Sequence, residues 1–120
     1  MSYFPPGSHS WDETAVSTTA GGTATKAAVA GQMHVITVIS GHVDEAAAIQ
    51  VLTGAAGATV AAEFKVDVIV GGQNATDVVV AQVPFEFTGT WHGTPGVAVA
   101  GKLANSNADG QVNICGYSIP

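Results

Sequence analysis

Met33-His34-Val35-Ile36-Thr37-Val38-Ile39-Ser40 is the stretch on which the fold turns. Read with a period of two, it places Met33, Val35, Thr37 and Ile39 on one side and His34, Ile36, Val38 and Ser40 on the other. β-branched residues dominate it, and they suit the pleat better than the helix. The same alternation recurs downstream. Phe64, Val66, Val68 and Val70 share a side, opposite Lys65, Asp67 and Ile69. Val79, Ala81, Val83, Phe85 and Phe87 oppose Val80, Gln82, Pro84 and Glu86. Val97, Val99, Gly101 and Leu103 oppose Ala98, Ala100 and Lys102, and Val112 and Ile114 oppose Asn113, Cys115 and Tyr117. One side on a core and one in water means antiparallel sheet.

Gly and Asn punctuate these runs. The breaks fall at 54–57, at Gly71-Gly72-Gln73-Asn74, at Gly93-Thr94-Pro95-Gly96 and at 105–110, where Asp109-Gly110 is a hairpin signal. Strands are expected near 24–30, 33–42, 47–53, 58–70, 78–88, 97–104 and 111–119, with a weak one near 14–19. About eight strands with Gly-rich turns predict an all-β fold: a single antiparallel β-sandwich, jelly-roll-like. Asp44–Leu52 has a helical alternative, because Glu45, Ala46, Ala47 and Ala48 are helix formers. A core of Val, Ala and Ile, with only four Phe, lets the sheets pack closely and leaves no ligand-sized cavity.

The chain has 120 residues, enough for one domain. Residues 1–13 read as an extended N-terminal arm and 14–120 as the sandwich. Tyr3, Phe4 and Trp11 crowd three aromatics into the arm, and Pro5-Pro6 keeps it out of helix and sheet ladder. Tyr3, Phe4, Pro5, Pro6, Trp11 and Trp91 are therefore the candidate interface residues. The arm has no basic region and no apolar run, which predicts synthesis in the cytoplasm without a signal peptide. Asn74-Ala75-Thr76 then reads as a chance glycosylation match. Ala46–Ala62 falls short of the roughly 20 apolar residues of a membrane span.

Charge excludes one class of partner. The sequence is 47% hydrophobic and only 10% charged, with a net charge of −6, three Lys and no Arg. Phosphate neutralisation needs Arg and Lys, so no nucleic acid is expected. The surface must be Thr, Ser, Gly, Ala, Asn and Gln, which suits burial against copies of itself because desolvating charge is costly.

Catalytic and metal patterns are missing from the sequence. His34 and His42 share a side but lie about 26 Å apart along an extended strand. His42 and Asp44 lack a third ligand by spacing. His9 in the arm and His92 beside Trp91 read as exposed loop residues. Asp12-Glu13 and Asp44-Glu45 are neighbours that a strand would point apart, so they read as solvated turn charges. No G-x-S-x-G occurs, Ser118 has no following helix, and Gly71-Gly72-Gln73 leads into a strand rather than a phosphate-binding helix. Cys115 stands alone, reads as a buried thiol, and permits no intrachain disulfide. The expectation is no enzyme, no cofactor and no metal.

Within residues 33–120, the stretches His34–Gly41, Pro84–Gly89, Gly96–Gly101 and Gly110–Tyr117 resemble strands of small virion proteins of tailed bacteriophages, in particular capsid decoration (cement) proteins. That resemblance implies a jelly-roll or related sandwich on the capsid surface, a homotrimer, and the major capsid protein as partner. It transfers no catalytic residue. A tail- or fibre-associated module binding host carbohydrate is the alternative, with Trp91 and Tyr117 as its aromatic platform. A small hydrolase with an unrecognised site is a further one.

Overall fold

The computed structural model describes residues 9–17, 22–54, 59–67, 83–104 and 110–120. Eight strands run through them: β1 (His9–Ser17), β2 (Thr23–Lys26), β3 (Met33–Val43), β4 (Ala47–Thr53), β5 (Thr59–Val66), β6 (Val83–His92), β7 (Val99–Leu103) and β8 (Gly110–Ile119). They form two four-stranded antiparallel sheets of order β1-β8-β3-β6 and β2-β7-β4-β5. The pairs β1·β8, β2·β7, β3·β6 and β4·β5 are those of one long hairpin. Rolling that hairpin brings β3 against β8 and β4 against β7, which makes the sandwich a jelly roll.

The first sheet is built in rows. Trp11, Gly116, Ile36 and Trp91 are successive partners across it, and so are Glu13, Ile114, Ile39 and Phe87. In the second sheet, Ala24, Gly101, Val51 and Ala62 make one row. Ile39 and Ile114 of the first sheet sit over Gly101. A Cβ there would lie 2.5 Å from Ile114 Cγ2 and 2.8 Å from Ile39 Cδ1. The absent side chain sets how closely the sheets approach. Ile36, Ile39, Val43, Ile49, Val51, Val99, Leu103, Val112 and Ile114 are fully buried around it.

Several expectations are corrected. β3 does not alternate strictly, because its register shifts between Ile36 and Val38. Thr37 is the extra residue of a β-bulge, and its hydroxyl donates to the Cys115 carbonyl at 3.3 Å. The bulge exchanges the two sides: His34 and Ile36 are buried before it, Ile39 and Val43 after it. His34 and His42 therefore face opposite ways. Asp44–Leu52 is not helical; Ala47, Ile49, Val51 and Thr53 alternate into the core.

The strand expected over 24–30 stops at Lys26, and the chain turns where Gln32 N–H donates to the Val29 carbonyl at 3.1 Å. The arm boundary also moves. His9–Glu13 are the first half of β1, paired with β8 from Ser118 to Ile114. Residues 1–8, the turn at 71–74 and the expected strand segments 68–70 and 78–82 lie outside the described residues. The 93–96 turn is as expected: Val97 N–H donates to the Thr94 carbonyl at 3.0 Å, Pro95 follows Thr94, and Gly96 takes a φ of 74° that other residues resist.

Gly101→Ala should lower the unfolding free energy by about 1–3 kcal/mol, the usual cost of overpacking a filled core. Urea denaturation at unchanged slope checks it. A loss below about 0.5 kcal/mol would mean that the sheets separate freely.

Candidate functional site

Trp11 and Trp91, expected as interface anchors, stand at opposite edges of one row of the first sheet and pack against the core. Trp11 meets the His34 ring edge-on, with centroids 5.9 Å apart, and the Lys26 ammonium lies 5.8 Å from the indole centroid. These contacts close the side of the sandwich where β1 and β2 meet. On the other side, Phe64 of β5 stacks on Phe87 of β6 at 4.2 Å, and Trp91 stands edge-on to Phe64 at 5.9 Å. Aromatic seams thus seal both open sides, and all of these rings are partly exposed except that of His34. Tyr3, Phe4, Pro5 and Pro6 lie outside the described residues.

The other polar feature at this end was hidden by the bulge. His34 and Ser118 are cross-strand partners, 0% and 2% exposed. Nε2 of His34 lies 2.8 Å from the Ala27 carbonyl, and Nδ1 hydrogen-bonds the Ser118 hydroxyl. A carbonyl only accepts, so Nε2 carries a proton and donates to Ala27, while Nδ1 and the Ser118 hydroxyl, which can each donate or accept, share the second bond. A serine beside a histidine held by a third group has the outline of an activated nucleophile. Its burial denies it a substrate, and its work here is to fasten β8 and the end of β2 to β3. Strict alternation conceals the pair, because it aims His34 outward.

The outward face of the first sheet is polar. Thr14 donates to Asn113 Oδ1 at 2.7 Å, Gln111 donates to the same oxygen at 2.9 Å, and Asn113 Nδ2 reaches the Ser40 carbonyl at 3.5 Å. Asp12 and Glu86 are exposed on the same face. Between them lies Cys115, half-exposed rather than buried as expected, because β8 aims its even-numbered residues inward. Partial burial, then Asp12 and Glu86, raise its thiol above the ordinary cysteine value. A shallow groove of about 430 Å³ runs past Ser10, Asp12, Thr37 and Cys115. A second, of about 230 Å³, lies along Ala46, Ala48, Glu63, Lys65 and Asp67 on the other sheet.

The remaining candidates do not converge. Among the described residues, no three His, Cys, Asp or Glu side chains come together. His9 and His92 are exposed, on strand ends rather than loops. Asp12 points outward from β1, while half-buried Glu13 occupies the core-facing row with Ile114.

The raised thiol gives a pH-dependent expectation. The thiolate is the reactive form, so alkylation of native Cys115 should reach half its limiting rate at a higher pH than the denatured chain does. The fold favours the neutral thiol; that preference is complete below the unfolded value and fades as pH rises through the folded one. Asp12→Asn should move the midpoint part of the way down, because burial remains. Identical midpoints for native and denatured protein would refute this placement of Cys115.

No protein family, curated protein or solved structure matches this chain.

Proposed function

We propose that the chain is a structural protein of a bacteriophage virion, decorating and stabilising the capsid as a homo-oligomer, with three copies and the major capsid protein as its partners. The observation that carries this reading is the economy of charge on an eight-stranded sandwich, with 10% of residues charged. Such a surface loses little when it is desolvated against neighbours. The resemblance of the strand stretches to decoration proteins supplies the virion as the setting. The segment Tyr3-Phe4-Pro5-Pro6 precedes the edge strand β1, so it can reach a neighbour without passing through the core. Tyr and Phe rings are effective interface anchors, and paired prolines lower the entropy lost on docking.

A second reading rests on the outward face of the first sheet. The ordered Asn113 amide, with Gln111 and Tyr117 on the same face, suits a saccharide, which would make the chain a tail- or fibre-associated host-binding module.

Capsids stripped of the protein provide the test. The full chain should co-sediment with them to saturation. A chain lacking residues 2–8 should bind at least tenfold more weakly at an unchanged melting temperature. No binding of the full chain sinks the capsid reading. Undiminished binding of the shortened chain removes the terminal segment from it. Glycan binding that is lost in Tyr117→Ala supports the second reading instead.

A further inference from the structure

β1 differs from every other strand. Its core-facing positions are His9, Trp11, Glu13 and Ala15, and none of the side chains described from His9 to Ala15 is buried. Each of the other strands has at least one buried side chain, including four-residue β2 with Ala24 and the edge strands β5 and β6 with Val66 and Phe85. Glu13 brings a carboxylate to the row of Ile114 and Ile39. Trp11 is the one large apolar residue that β1 sends inward, and its buried indole N–H has no acceptor among the described residues. Among its described residues, β1 is therefore held by its backbone ladder to β8, by the Thr14–Asn113 hydrogen bond on the outward face, and on the core side by the Trp11 ring and small Ala15.

β8 is the opposite case. Across Gly110–Ile119 it has no charged residue, and its even-numbered positions are buried without a break. With β1 unpaired it would present a ten-residue edge, ready to accept a strand. Its partner must tolerate an acid opposite Cys115 and Ile114, where β1 places Asp12 and Glu13. β8 has no acid of its own to oppose them.

We propose that β1 is an exchangeable strand: in the assembled protein, His9–Ser17 of one copy pairs with β8 of a second copy. The proposal rests on the homo-oligomer reading above and deepens it. A backbone ladder is blind to which chain supplies the strand, so exchange conserves every β1–β8 hydrogen bond. It also ties each copy to the next through a head-to-tail contact, the kind that closes into a ring. A strand attached to its own sandwich has an effective concentration of millimolar order. Exchange therefore wins only when copies are already held together, and it makes assembly and strand transfer one event.

The pairing of Asp12 with Cys115 makes the test direct, since Cys115 is the only cysteine. Cross-strand Cα atoms lie about 4.5–5.5 Å apart, within disulfide reach. Assembled Asp12→Cys protein is oxidised with diamide, denatured and resolved by mass without reductant. More than half of the chains are expected in species of two and three chains, against none for the unmodified protein. One-chain species with both thiols consumed would overturn the exchange and leave the oligomer reading standing. If the unmodified chain sediments as a single copy, that reading fails, and the exchange with it. Should Asp12→Cys fold poorly, Ser10→Cys with Tyr117→Cys in a Cys115→Ser background reads the neighbouring pair in the same way.

Discussion

Gly101 facing Ile39 and Ile114 is the contact on which the sandwich depends. The second sheet offers these isoleucines a row of short side chains, Ala24, Gly101, Val51 and Ala62, and they descend into it. Sheets brought this close have little room for rings between their centres. Most of the inward aromatic residues accordingly stand at the margins, Trp11 on one side and Phe64, Phe87 and Trp91 on the other, while Phe85 of edge strand β6 is the one phenylalanine buried in the core among the described residues. The low aromatic content and the high Val and Ala content follow from this constraint. A wider spacing would need larger core residues and would leave the seams unclosed.

Alternation made most of the strands legible. β4, β7 and β8 lie where the pattern puts them, and the 93–96 turn follows from Pro95 and Gly96. What stayed hidden depends on groups far apart in sequence. The bulge at Thr37 is fixed by a hydrogen bond to the Cys115 carbonyl, and no local pattern announces it. Its consequence, His34 aimed inward to meet Ser118, could not be read without it. β1 was misread for a different reason. Its alternation is weak because an edge strand with no fully buried side chain from His9 to Ala15 needs little apolar character.

Jelly rolls serve many purposes, so the topology alone selects no function. What distinguishes this one is where its polar chemistry lies. The most catalytic-looking pair, His34 and Ser118, is sealed inside and fully engaged. The outward polar residues, such as Thr14, Asn113 and Gln111, bond mainly to one another and lie flat on a sheet. Neither arrangement gathers reactive groups around a cleft. Both are compatible with the assembling, surface-presenting role proposed above, and so is an edge strand as sparsely buried as β1.

Sedimentation equilibrium of the unmodified chain tests this account most directly. At tens of micromolar and moderate salt, a mass near three times the 12.0 kDa of one chain is predicted. A single 12.0 kDa species over that whole range would contradict a protein built for assembly with itself.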